Sequence, residues 1–283
     1  MGTAGECWPE DAPMAPALPM AEFVELVMTR GLEHYRDLPW RNISDPYAVW
    51  ISEVMLQQTQ VKRVDGRWQR WMKRFPTVEM LAAAESGDVL EEWQGMGYNR
   101  RALALLHAAR QIVAAGEFPQ EERELVALPG IGPATAAGIR AFAFNLPGVY
   151  LETNVRTVFL HELFPHETDV PDRALLPLVR VSCPDDMPRN WYYALLDYGA
   201  WLKKTVPNPS RRSRSHVRQS RFEGSHRQKR GEVVRMLLAA RADGVVAADV
   251  AGALSVSESD ARVLLDELTA EGFCTQQSSR WFA

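Results

Sequence analysis

Cysteine is scarce in this 283-residue chain, and the scarcity is informative. Cys7, Cys183 and Cys274 are odd in number and far apart. A disulfide framework is thereby excluded, and a reducing, cytoplasmic setting is expected. Three thiols also cannot supply a four-cysteine cluster. Long hydrophobic runs are missing too: none approaches the roughly 20 residues of a membrane span, so no membrane association is expected. The first 20 residues are rich in Pro and Ala and hold Glu6, Glu10 and Asp11. They lack the basic-then-apolar order of a secretory signal, and residues 1–20 read as a disordered tail. Excess positive charge is absent as well. The net charge of −4 argues against affinity for nucleic acid through bulk charge.

What is present is unevenly distributed. Between Lys203 and Arg230 lie ten basic residues, among them Arg211, Arg212, Arg214 and Arg218, and one acid, Glu223. Residues 203–230 show no helical period and read either as a solvated linker or as a local phosphate-binding strip on an acidic body. The chain before it is helical. Apolar residues recur at helical spacing over 20–35, 47–71, 80–90, 101–113, 134–144 and 154–163, with Pro and Gly in the gaps. The fold class is therefore all-α, with one domain over 21–202. A second unit, 231–283, reads as three helices and a short hairpin, which is the order of a winged-helix module. Ser257 with Asp260 three residues later predicts the start of its third helix. That helix, 257–272, carries Glu258, Asp260, Asp266, Glu267 and Glu271 against Arg262 alone. Phosphate would repel it, so packing or docking of a protein partner suits the module better than reading DNA.

Four motifs carry the chemistry. Leu128-Pro129-Gly130-Ile131-Gly132-Pro133-Ala134-Thr135-Ala136 places Gly130 and Gly132 in a tight connection before a helix that opens on Pro133. Such a hairpin presents backbone N–H groups to a phosphate without reading sequence, though Gly-x-Gly before a helix is also an ordinary turn. At Leu151-Glu152-Thr153-Asn154-Val155-Arg156 a carboxylate opens a helix, as a plain N-cap would. Ser52-Glu53-Val54-Met55-Leu56-Gln57-Gln58-Thr59-Gln60-Val61 sets Glu53 in an apolar run with Trp50 and Leu56 on its face. A buried carboxyl has a raised pKa, the state a general acid needs near neutrality. Gly95-Met96-Gly97-Tyr98-Asn99-Arg100-Arg101-Ala102 is the fourth.

Taken together and in this order, the four runs resemble the helix-hairpin-helix DNA glycosylases, most of all the MutY-type adenine glycosylases, over roughly residues 30–202. The resemblance implies a two-lobed helical glycosylase fold acting on double-stranded DNA with a mispaired or damaged base, in the cytoplasm and at the nucleoid if the source is bacterial. It implies that Glu53 protonates the departing base, that Glu152 stands where the family has its catalytic aspartate, and that Asn154 lies near the reacting sugar. Arg36, Trp40 and Arg41 match residues around the base pocket, with Leu56 and Tyr193 beside them. Gln57, Gln58 and Tyr98 match side chains that contact DNA or wedge into the stack when a base is extruded.

Four departures accompany the likeness. Glu152 replaces Asp, Tyr193 replaces an acid or amide that helps recognise adenine, and the four-cysteine iron–sulfur loop is missing. The module at 231–283 stands where such proteins carry an 8-oxoguanine-reading domain. Ala134 occupies the position at which bifunctional relatives hold a nucleophilic lysine. The expected activity is that of a monofunctional glycosylase without metal or cofactor, removing adenine opposite guanine or 8-oxoguanine. Removal of uracil or thymine opposite guanine, or a non-catalytic binder of DNA structure, are the alternatives.

Overall fold

The computed structural model describes residues 7–9, 14–216 and 221–283. Glu6, Glu10, Asp11 and Arg218 lie outside them. The described helices are α1 (Met20–Glu33), α2 (Pro46–Leu56), α3 (Val61–Val64), α4 (Arg67–Arg74), α5 (Val78–Ala82), α6 (Ser86–Trp93), α7 (Arg100–Ala115), α8 (Glu122–Ala127), α9 (Pro133–Phe144), α10 (Thr153–Glu162), α11 (Asp172–Ser182), α12 (Pro188–Thr205), α13 (His226–Ala239), α14 (Ala247–Leu254) and α15 (Glu258–Ala270). A hairpin of β1 (Thr275–Gln277) and β2 (Arg280–Phe282) closes the chain. Among the described residues no helix is long and apolar enough to cross a membrane. The helix expected over 47–71 is divided. Gln58 takes a left-handed backbone (φ 51) just after α2, and Gly66 (φ 76) sits before α4. Helix α11 was not foreseen, because Pro177 sits inside it.

The chain forms two compact units. The first comprises residues 1–53, 119–127 and 131–218. Its core is a cluster of Phe23, Phe159, Trp191, Tyr192, Leu195 and their neighbours, centred on α12. Backbones approach closely there because the facing residues are small. A Cβ added to Gly31 would overlap Ala194, and one added to Gly199 would overlap the carbonyl of Asn154. Described residues of the expected tail make contacts with the core. Trp8 donates its indole N–H to the Leu18 carbonyl at 2.7 Å and sets its ring 5.7 Å from Phe23. The Ala17 N–H reaches the Leu163 carbonyl at 2.9 Å. An apolar indole over a hydrophobic core gains more by burial than a polar tail would.

The described residues of the basic stretch 203–230 belong to several elements. Lys203 and Lys204 form the last turn of α12, where cations suit the helix dipole. Pro209–Arg212 makes a 3-10 turn capped by Asn208. The strand-like pair Val170–Ser213 ties the following residues down, with Val170 N–H to Arg212 O and Arg214 N–H to Val170 O, each 3.0 Å. Arg227, Lys229 and Arg230 already belong to α13, which starts five residues before the expected 231.

The second unit comprises 54–118, 128–130 and 219–283. Trp71 and Trp93 meet edge to face at 5.6 Å in its helical part. Helices α13, α14 and α15 and the hairpin form the C-terminal module. Ser257 caps α15 through the Asp260 N–H at 3.1 Å, as the sequence pattern requires. Val245 and Trp281 exchange two backbone hydrogen bonds of 2.9 Å, fixing the hairpin against the helices. The module packs on residues 86–101 of the same unit. Arg241 pairs with Asp88 at 2.7 Å, Arg100 with Glu271 at 2.5 Å, and Arg230 with both Glu267 (3.0 Å) and Glu271 (2.5 Å). A module of about 53 residues is marginal alone, and here the chain itself supplies its neighbour. Replacing Gly31 by Ala should force α1 off α12 and lower stability by about 1–3 kcal/mol, the usual effect of overpacking. A urea denaturation midpoint equal to that of the unaltered protein would refute this contact.

Candidate functional site

Within the first unit the two carboxylates singled out in the sequence share one site. Glu53 lies in the last turns of α2. Its Oε2 accepts a hydrogen bond from the Tyr150 hydroxyl at 3.1 Å. It rests directly on the backbone of α9 at Gly138, where an added Cβ would overlap the carboxyl and come within 2.9 Å of the Tyr150 ring. Only glycine leaves room for the acid at that crossing. The side chain is half-buried overall, but its carboxyl is surrounded by protein. Desolvation pushes its pKa up to about 8, the Tyr150 hydrogen bond opposes the rise, and the charge of Glu152 adds to it.

Glu152 is the N-cap of α10. Its Oε1 accepts from the N–H groups of Asn154 (2.5 Å) and Val155 (3.0 Å). Its Oε2 has only the Asn154 side-chain amide, at 3.4 Å. Burial raises the pKa of Glu152, and the Val155 N–H, Lys203 and the Asn154 N–H pull it back. The extra methylene relative to Asp is absorbed in reaching the helix N-terminus, so one oxygen is fixed and the other remains for chemistry. Lys203, half-buried on α12, faces this carboxylate electrostatically, and burial depresses its pKa. Glycine at 199 lets the Asn154 backbone lie on α12.

An aromatic wall adjoins the pair. Phe142 stacks on Tyr193 with ring centroids 4.9 Å apart and planes 6° from parallel. Tyr150 packs edge-on against Phe142 at 5.4 Å and Tyr192 at 5.3 Å. The Tyr192 hydroxyl donates to the Gly148 carbonyl and accepts the Tyr150 N–H, so it holds the segment that carries Tyr150. Burial pushes the Tyr193 hydroxyl up to about 12.

Arg36 and Arg41, expected around the base pocket, are both engaged by one carboxylate within the protein. Both guanidiniums are bound by Asp197, which is fully buried on α12. Arg36 Nε lies 2.5 Å from Oδ1, and Arg41 gives a two-pronged pair at 2.6 and 2.8 Å. Arg41 also donates to the Arg36 carbonyl and covers the Tyr193 ring at 4.5 Å. These arginines fasten the loop bearing buried Trp40 to α12. Their planar forks suit carboxylate geometry.

Arg212 and Arg214, expected as DNA contacts, have partners within the protein. Arg212 donates to the carbonyls of Leu160 (2.6 Å), Phe164 and Glu167 (3.1 Å), closing the C-terminal end of α10. Arg214 pairs with Asp169 at 2.6 Å. Arg211 is exposed on the same turn.

Of the remaining predicted contacts, Gln57, Gln58, Tyr98 and Gly130 lie in the second unit and Gly132 in the first. Gln58 (φ 51) and Tyr98 (φ 48) both hold left-handed backbones that residues with side chains seldom adopt. The residue that holds them there was missed in the sequence. Arg101 is buried and donates to the carbonyls of Val54, Met55, Gln57, Met96 and Gly97 and to the Thr59 hydroxyl, at 2.6–3.3 Å. One guanidinium thus fixes the end of α2, which includes half-buried Leu56, and the Gly-Met-Gly-Tyr turn. Desolvation lowers its pKa to about 10. The Gln57 amide donates to the Gly130 carbonyl at 3.3 Å. Gly130 is left-handed (φ 78), and Gly132 precedes α9 with Pro133 in its first turn and no side-chain cap, so backbone N–H groups open that helix. The missed residues Tyr150, Gly138 and Asp197 act on partners more than 80 residues away in the chain, and Arg101, though inside the fourth motif, joins that motif to carbonyls 44 to 47 residues away.

The chain is similar to known proteins. Residues 51–178 match the family described as HhH-GPD superfamily base excision DNA repair protein. The adenine DNA glycosylase of Mycobacterium tuberculosis is 33% identical over 236 residues, covering 73% of this chain and 75% of that protein. The adenine DNA glycosylase of Buchnera aphidicola subsp. Baizongia pistaciae is 39% identical over 127 residues, which are 44% of this chain but 36% of that protein. Among solved structures, a thermostable thymine-DNA glycosylase aligns with a TM-score of 0.57 at 23% identity, over 64% of this chain and 86% of its own. A trapped endonuclease III–DNA covalent intermediate aligns with a TM-score of 0.51 at 17% identity, over 77% and 97%. These two establish the fold.

The raised pKa of Glu53 makes a prediction about stability. Its folded value of about 8 lies above the ordinary 4.5. The native state is therefore favoured while the acid is protonated, and that advantage is lost as pH rises through about 8. Glu53→Gln should gain stability relative to the unaltered protein between pH 5 and 9, measured by chemical denaturation. A difference that stays constant with pH would mean a solvated carboxylate.

Proposed function

Because the chain belongs to the HhH-GPD superfamily of base excision DNA repair proteins, alongside the adenine DNA glycosylases, we propose that it is a monofunctional DNA glycosylase removing adenine paired with guanine or 8-oxoguanine from double-stranded DNA. The observation that carries this reading is a carboxyl held protonated near neutrality beside a second carboxylate in one site. Glu53 gives its proton to the departing base. Positive charge then grows on the sugar, and the free oxygen of Glu152 faces it while the helix N-terminus keeps the other oxygen in place. Asn154, whose amide touches that carboxylate, aligns it. Water completes hydrolysis. The logic is that of two-carboxylate glycoside cleavage, with fixed charge as the main source of acceleration. The three cysteines of the sequence cannot build a four-cysteine cluster.

Tyr193 favours a second reading. A tyrosine stacked on Phe142 lacks the carboxylate or amide that would pair with adenine, which leaves uracil or thymine opposite guanine as the competing substrate. Single-turnover strand cleavage after alkali, across duplexes bearing A·G, A·8-oxoguanine, U·G and T·G, separates the two. Adenine release is expected, with a loss of about 10²-fold or more in Glu53→Gln at nearly unchanged duplex affinity. Release confined to pyrimidines, or a loss under about tenfold, overturns the assignment.

The methyl of Ala134 cannot form the Schiff base of a lyase. Borohydride should accordingly trap no protein–DNA adduct. A trapped adduct would refute the monofunctional reading and direct attention to Lys203, whose burial-depressed amine faces Glu152.

A further inference from the structure

The proposed reaction asks opposite things of two neighbouring acids. Glu53 must hold its proton and Glu152 must be without one, yet burial raises the pKa of both. Two desolvated carboxyls in one site can hold a shared proton on either partner. A nearby charge on one side only would decide between them.

Helix α12 carries such a charge. The N-terminal end of α10 lies on α12 at Gly199, where an added Cβ would overlap the Asn154 carbonyl. Lys203 is four residues further along the same face of α12, about 6 Å along its axis. It faces the residue that caps α10, Glu152. The Lys203 side chain is half-buried. Its ammonium has neither a hydrogen bond nor an ion pair among the described residues. Glu152 has an oxygen to spare, because Oε2 meets only the Asn154 amide, at 3.4 Å.

The other charged groups around these two are already engaged. Arg156, the second cation facing Glu152, pairs with Asp172 at 2.9 Å. Arg36, which repels Lys203, is held by Asp197. Glu53 on α2 and the Tyr150 hydroxyl face Glu152 from the remaining side and are bonded to each other. Of the two cations facing Glu152, Lys203 is therefore the one that no other carboxylate has claimed. Burial works against both charges, and each offsets part of the other's loss.

We propose that Lys203 is a positioning residue whose ammonium keeps Glu152 ionised beside a protonated Glu53, so that the proton is held on the acid that gives it to the base. This inference rests on the glycosylase reading of the site, yet one arm of its test needs no base release.

That arm is a double-mutant cycle of Lys203→Met and Glu152→Gln, read by chemical denaturation of the full chain. At pH 8 the two residues should be coupled by about fivefold or more in the folding equilibrium, within the usual range for interacting groups. The coupling should fade as pH falls and Glu152 takes up a proton. Lys203→Arg in place of the unaltered lysine should keep it. The other arm is the pH dependence of single-turnover base release from the A·8-oxoguanine duplex. Its acid limb reports ionisation of Glu152, and its alkaline limb reports loss of the Glu53 proton. Removing the cation makes Glu152 harder to ionise, so Lys203→Met should move the acid limb up by about one unit. The rate should fall about tenfold on the acid side and change little near pH 8. Lys203→Arg should leave the limb in place. An additive cycle, or an acid limb that does not move, overturns the proposal. A loss of rate that is equal at every pH also overturns it, since that marks a DNA contact or a structural defect. Coupling in a protein that releases no base from any duplex upholds Lys203 as the counter-charge of Glu152 while the glycosylase assignment falls.

Discussion

Keeping the carboxyl of Glu53 out of water requires α2 and α9 to pass so closely that a single hydrogen at Gly138 separates backbone from acid. Much of the first unit follows from that crossing. Tyr150 must lie over the carboxyl to meet its polar oxygen. Tyr192 must hold the Tyr150 segment, and Phe142 and Tyr193 fill the space beside it. A desolvated acid stays protonated well above its ordinary range, and its proton is then available at neutral pH. Water admitted by a shifted helix would return the carboxyl to an ordinary, ionised state.

Two buried ionic arrangements hold the frame around this chemistry. Asp197 gathers Arg36 and Arg41 and so ties the loop at Trp40 to α12. Arg101 gathers carbonyls from two turns and keeps Gln58 and Tyr98 in left-handed backbones. In both cases the charged group is almost fully supplied with partners, the condition under which a buried charge is tolerated. Loss of either partner leaves several polar atoms stranded.

The C-terminal module illustrates how composition misleads when pairing is unseen. An acidic α15 looks unfit for any role near DNA. Glu267 and Glu271 in fact spend their charge on Arg230 and Arg100. The basic stretch before it shows the opposite case. Arg212 and Arg214 look available to phosphate, yet one closes the end of α10 and the other pairs with Asp169.

Local order in the sequence determined a good deal: the all-α class, most helix positions, the cap at Ser257, the Gly-Pro connection before α9 and the candidacy of Glu53 and Glu152. Each of these depends on spacing within a turn or two, where chain geometry alone decides neighbours. The break after Leu56 and the helix through Pro177 went unseen because tertiary contacts outweigh local preference there. Only the tertiary structure decided that Tyr150 and Gly138 enclose Glu53, that Arg36 and Arg41 serve Asp197, and that Arg101 joins two turns. Those pairings join residues some 40 to 160 positions apart, and the partner of a buried charge is set by which helices cross, a property that no window of sequence contains.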